Sequence, residues 1–227
     1  MRVIKLTIYS LVIFALLVPA SYASETGIEV TGTAKETVVP DIATFSFSIS
    51  GKGLELEPLK ADIDKKTAST VALCKKLGIK SKHITSSEIS IHPQYNYQTR
   101  SFIGYDVSRN ITVVLYDLEN YTALVNGAIK AGITTINNIS LDTKDRNTVE
   151  RKALVSAIHA AKQKAETIAS SSGVKLGKVL YVKEGGGSIR LETYNFRQDR
   201  VSGVAQGAFE PGEITVTSSV SIRYAIK

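Results

Sequence analysis

From Tyr105 to Leu115 the chain reads YDVSRNITVVL. The odd positions, Tyr105, Val107, Ile111, Val113 and Leu115, are apolar, with Arg109 the one interruption. The even positions Asp106, Ser108, Asn110 and Thr112 are polar. A period of two places the two sets on opposite faces of a strand. Such a strand belongs in a sheet with one dry and one wet face, which rules out a purely helical fold. Arg109 must then find a carboxylate or carbonyl on the dry side, or be turned outward by a bulge.

Other stretches repeat the alternation. Ile28, Val30, Gly32 and Ala34 predict a first strand, broken by Val39-Pro40-Asp41. Ala43, Phe45, Phe47 and Ile49 alternate with Thr44, Ser46, Ser48 and Ser50 in a second. Ile89 to Tyr97 reads as a third, and Pro93 within it marks an edge or a bulge. Shorter strands are expected at about 135–141 and around Val179–Val182, and a clear last strand from Ile214 to Ile226. Helical spacing appears three times. Leu59, Ile63, Thr67, Val71, Cys74 and Leu77 share a face over 57–77, before Gly78. Asp117 caps a second helix that closes at Gly132. The longest spans 148–172, with Leu154, Ile158, Ala161, Ala165 and Ile168 marking its expected face and Gly173 its stop. Residues 184–208 show no period and read as a loop.

Residues 43–141 thus run β-α-β-β-α-β, the split βαβ order. The expectation is an α+β fold: a mainly antiparallel sheet with a ferredoxin-like core at about 43–141 and both helices on one face, plus a third long helix and C-terminal strands over 148–227. The extra elements must join that sheet or form a second lobe. An outer-membrane barrel is argued against by the helices between the strands.

Arg2 and Lys5 precede an apolar run from Leu6 to Val18, and Ser21 and Ala23 stand before a cut ahead of Ser24. This is the layout of a secretory signal peptide over residues 1–23; the rival, an uncleaved anchor, has too short an apolar run to span comfortably. No Cys follows the cut, which argues against a lipid anchor. The remaining chain carries 26 basic and 21 acidic residues, scattered without a run, so nucleic acid is not an expected partner. No later stretch approaches membrane-spanning length. Cys74 is the only cysteine, which excludes an intrachain disulfide; its place on a helical stripe reads as a small buried hydrophobe.

Catalytic signals are sparse. His83 and His92 differ in parity and His159 lies on the third helix, so neither a metal centre nor any other cofactor is expected. No G-x-S-x-G elbow is present, and Gly185-Gly186-Gly187 leads into no P-loop lysine. What stands out is a face. Thr44, Ser46, Ser48 and Ser50 share it with Ser90, Gln94 and Asn96, and with Ser108, Asn110 and Thr112. It is polar yet nearly uncharged: either a plain solvated face or a contact surface, since interface cores are depleted of charge. Tyr95, Tyr97 and Tyr105, with Phe102 between them, gather at one hairpin, where they either cover the helices or form a binding edge.

Thr31-Gly32, Val39-Pro40-Asp41-Ile42-Ala43, Leu77-Gly78-Ile79, His83-Ile84-Thr85, Pro93-Gln94-Tyr95, Ala131-Gly132-Ile133, Gly173-Val174-Lys175-Leu176-Gly177 and Pro211-Gly212-Glu213 follow in an order that resembles the SIMPL-domain family. This is the family of the bacterial periplasmic immunogenic and oxidative-stress defence proteins. The likeness covers residues 28–227 and makes 24–227 one SIMPL-like domain. His83 departs from the pattern, which has Asp there. The resemblance implies a periplasmic or envelope-associated α+β protein that assembles into large homo-oligomers, is loosely tied to stress tolerance and has no agreed catalytic group. The expectation is an exported, non-enzymatic homo-oligomer using Ser46, Ser48, Ser90, Gln94, Ser108, Asn110, Thr112, Tyr95, Tyr97 and Tyr105 as its surface. The alternatives are a small-ligand or protein-binding module, or an enzyme of unknown reaction. Peripheral attachment to the outer membrane stays open.

Overall fold

The computed structural model describes residues 26–191 and 209–227. The expected leader and most of the 184–208 stretch lie outside them. The elements are β1 (Gly27–Val38), β2 (Ile42–Gly53), α1 (Leu56–Lys76), β3 (Ile84–Ser86), β4 (Ser90–Tyr95), β5 (Phe102–Leu115), α2 (Tyr121–Ala131), β6 (Thr135–Asp142), α3 (Arg146–Ser171), β7 (Leu176–Leu191) and β8 (Ile214–Ile226). Short 3-10 turns at Ser81–His83 and Leu118–Asn120 lead into β3 and α2.

Two antiparallel sheets result. One has the order β3-β5-β2-β6, with β4 also pairing β5. The strands flanking each helix are not neighbours, which is the ferredoxin-like arrangement expected from the sequence. Its core holds Phe45, Phe47, Ile49, Ile111 and Val113 with Ile63 and Cys74 of α1 and Leu124 of α2, all fully buried. Burial pushes the Cys74 thiol up to about 11, so it is a packing residue and not a reactive one. α2 stops where expected, with Gly132 at a φ of 100°.

The other sheet has the order β1-β8-β7. The third helix and the terminal strands therefore form a second layered unit with its own apolar clusters. Here one sequence expectation holds only for Ala161 and Ala165, and a second fails. The buried face of α3 is not Leu154, Ile158 and Ile168; Ile158 and Ile168 are 40% and 39% exposed. It is Val149 and then Ala153, Ala157, Ala161, Ala165 and Ala169. Spacing by four winds obliquely around a helix, so this row follows the twist of the sheet below. Alanines also let the axis approach the strands, which leaves the larger side chains at the flanks. Second, residues 184–191 are strand. β7 pairs β8 from Leu176 to Leu191 through three irregularities. The backbone ladder, helped by Ser219 Oγ donating to the Gly185 carbonyl at 3.2 Å, holds a segment whose glycines erase any side-chain period.

The third predicted strand is β4, and a further short strand, β3, precedes it. β3 and β4 both lie on β5, and Ser87 bridges them: its N–H donates to the Asn110 carbonyl at 2.8 Å, and Asn110 N–H donates to Ser87 Oγ at 3.0 Å. Pro93 sits in β4, which pairs on one side only. Asn96 leaves the sheet face; its Oδ1 accepts from the N–H groups of Gln98 and Thr99 in the hairpin turn.

Arg109 points toward the helices and meets a carboxylate, Nη1 to Asp64 Oδ1 at 2.8 Å. Asp64 also accepts from Lys60 Nζ at 2.6 Å. The Lys60 hydrogen bond, and after it Arg109, hold the Asp64 carboxyl below its ordinary range, against the opposing effect of desolvation. A depressed folded pKa gives stability that is present above the unfolded value, about 3.9, and lost as pH falls through the folded one. Asp64→Asn should therefore show a flatter fall in stability below about pH 4 than the parent. Urea unfolding at pH 3 and pH 6 checks this; parallel pH curves would contradict it.

Candidate functional site

The alternation of β2 and β5 fixes what the helix-free face of the five-stranded sheet presents. Register sets it in rows. Thr85, Thr112, Ser46 and Asn138 lie across four strands, Asn110, Ser48 and Thr135 form the next row, and Ser90, Ser108 and Ser50 the next. On the other side lies Val114-Thr44-Ser140. Charge enters at both ends: one row beyond Ser90, where His92 and Lys52 flank Asp106, with Lys52 Nζ 3.4 Å from its carboxylate, and one row beyond Ser140, at Asp142. Sequence reading put Ser46, Ser48, Ser90, Gln94, Ser108, Asn110 and Thr112 on this surface; all but Gln94 stand in the uncharged rows, and Gln94, opposite Gly104, lies beyond the charged row. The same reading missed Thr85, Thr135, Asn138 and Ser140, because β3 and β6 are short and their parity carried little signal.

Most of these groups keep free hydrogen-bonding capacity. Asn110 and Thr112 are exposed, and Ser46, Ser48 and Ser108 half-buried. Ser50 Oγ is tied to Thr134 Oγ1 at 3.1 Å, and Thr134 Oγ1 donates to the Ser48 carbonyl at 2.9 Å. Hydroxyls and amides both donate and accept, so such a face can exchange water for a partner's polar groups without desolvating an ion.

The aromatic hairpin divides. Tyr105 is half-buried against the core of the sheet. Tyr97 is fully exposed and Tyr95 54% exposed, so these two do not cover the helices. Tyr95, Phe102 and Tyr105 form an edge-on chain with centroids 5.8 and 5.0 Å apart.

One arrangement invites a catalytic reading. Ser90 Oγ lies 2.9 Å from His92 Nε2, and Asp106 faces His92 across the strands. A working triad needs the carboxylate to hold the imidazole from its other nitrogen. Asp106 is engaged by Lys52 instead, no hydrogen bond joins it to His92 among the described residues, and His92 is exposed. His83 and His159 lie elsewhere, in a 3-10 turn and on α3. Among the described residues no three His, Cys, Asp or Glu side chains converge as metal ligands would. No described helix is long and apolar enough to cross a membrane.

Fold and face together define an α+β protein of two antiparallel sheets, with a ferredoxin-like half that leaves a neutral polar face open. The SIMPL family, proteins of unknown function (DUF541), matches residues 28–224, and the chain belongs to it. It is 31% identical to the uncharacterized protein YggE of Escherichia coli K12 over 154 residues, which are 67% of this chain and 63% of that one. With YggE of Edwardsiella ictaluri it shares 29% over 171 residues, 74% of this chain and 69% of the relative. The 26 kDa periplasmic immunogenic protein of Brucella melitensis is 26% identical over 164 residues, 69% of this chain and 66% of that protein.

Proposed function

We propose that this chain works in the bacterial periplasm, exported on a cleaved signal peptide, as a non-enzymatic homo-oligomer that supports stress tolerance at the envelope. The observation that carries the assembly is the set of uncharged rows from Thr44 to Ser108, bounded by the Asp106 ion pair. Burying an unpaired ion costs several kcal/mol, while burying hydroxyls and amides that regain hydrogen bonds costs little. A face of three and four strands without an ionised side chain is therefore suited to close against another copy. The Brucella relative's name supports the compartment.

The test is the mass of the mature chain by light scattering across a wide concentration range. The expected mass is a multiple of the monomer's, and Ser48→Lys/Asn110→Lys should reduce it to the monomer while the circular dichroism spectrum is kept. A monomer at every concentration would sink the reading, and an unchanged multimer in the double variant would move the interface elsewhere.

A further inference from the structure

Between the C-terminal end of α1 and the end of β5 lies a cavity of about 410 Å³. That lies within the range of small-molecule sites. Its aliphatic lining comes from Leu77, Ile79, Val114 and Leu115. Ile79 and Leu115 are buried, so this part of the site is fixed by the core. One wall is a pair of rings, His83 and Tyr116, with centroids 4.7 Å apart and tilted by 54°.

The polar groups of the lining are unevenly balanced. Lys80 and Lys82 are exposed, and no carboxylate pairs with either among the described residues. Lys144 adds a third ammonium beside Tyr116, 5.9 Å from the ring centre and 3.3 Å from the Tyr116 carbonyl, though it is shared with Asp41. The acid in the lining, Asp117, is already committed. Its Oδ1 accepts from Glu119 N–H at 3.2 Å and its Oδ2 from the Asn120 amide at 2.8 Å. The negative end of the α1 dipole is answered by Lys75 and Lys76 in its last turn.

An apolar floor under two unpaired cations is complementary to one kind of ligand. We propose that this cavity binds a small carboxylic acid, its hydrocarbon body on Leu77, Ile79, Val114 and Leu115 beside the Tyr116 ring, and its carboxylate at Lys80 and Lys82. Charge-assisted hydrogen bonds at the rim orient the ligand, and the buried aliphatic surface supplies most of its affinity. The site lies at an end of the sheet and touches the polar rows at Val114 alone, so the lysines that read the ligand lie outside the assembly face.

Octanoate is the probe, with octanol and octylammonium as its neutral and cationic counterparts. Titrated into the 15N-labelled full mature chain, octanoate should give saturable shifts confined to 77–83 and 114–117, with octanol weaker and octylammonium weakest. Lys80→Glu/Lys82→Glu, both at exposed positions, should weaken octanoate by about tenfold or more and put it below octanol, because the attraction is replaced by repulsion. Tyr116→Ala should weaken all three probes that bind. Equal binding of octanoate and octanol to the parent would overturn the charge assignment. Shifts elsewhere on the chain, or none at millimolar octanoate, would overturn the site.

Discussion

Gly32→Ala should destabilise the protein severely, by about 4 kcal/mol or more, although it adds a single methyl group. A Cβ on Gly32 would stand 2.6 Å from the Ala161 backbone nitrogen and 2.8 Å from its Cβ, and closer still to the Ala157 carbonyl oxygen. Two of these are main-chain atoms of α3 and the third is a Cβ fixed to the main chain, so none can swing away as a flexible side chain would. β1 is also held to that helix by Lys164 Nζ donating to the Thr31 carbonyl at 2.7 Å. The helix would have to lift off β1, opening the cluster of Val30, Ala157, Ala161, Val220 and Ile222. Urea unfolding followed by circular dichroism measures the loss. Ala161→Gly in the same chain should recover little, because the backbone contacts remain. A Gly32→Ala protein within about 1 kcal/mol of the parent would show that α3 is free to shift.

That close contact also explains which parts of the fold could be read from the sequence. Where large apolar residues alternate, as in Phe45-Ser46-Phe47-Ser48-Ile49, side-chain parity alone gives the strand and its dry face. The same logic located Arg109 on the helix side and left it a partner or an outward bulge; Asp64 supplies the partner. Where packing is done by the smallest residues the signal inverts. The α3 contact is built from alanines and a glycine, and Leu154, Ile158 and Ile168 mislead because they are large without being the buried set. β7 fails for a related reason: it is held by backbone pairing to β8, and a backbone ladder leaves no mark on residue type. The partition into two sheets was undecidable for a third reason. β1 pairs with β8 across nearly the whole chain, Gly27 with Ala225 and Val38 with Ile214, and local pattern carries no information about that partner.

The surfaces differ in the same way. The polar rows were legible on β2 and β5, because both strands are long and the parity runs unbroken. The cavity beside Tyr116 was not. Its lining comes from a helix end, a 3-10 turn and a strand end separated by some thirty residues, and no spacing rule joins Ile79, Lys82 and Tyr116. Only the path of the chain from α1 to β3 and the end of β5 brings them together.

Phe45→Ala is the complementary large effect. The ring is fully buried, stacked on Phe47 with centroids 5.4 Å apart and tilted against Tyr121 of α2 at 5.2 Å. Its neighbours across the sheet are Val113 and Ile139. Removing it empties the contact between strand and helix, and a loss of about 3–5 kcal/mol is expected in urea unfolding. A loss below about 1 kcal/mol would mean that the core collapses into the space. Phe45 stands one residue from Ser46 and two from Phe47, yet the pleat sends it to the opposite side of the sheet from the polar rows. Under conditions where Phe45→Ala remains folded, its mass in solution should match the parent's. Ser48→Lys/Asn110→Lys should behave in reverse, with stability within about 1 kcal/mol of the parent's monomeric unit and assembly lost. If Phe45→Ala abolished assembly while still folded, the contact between copies would have to run through the helices and not through the open face.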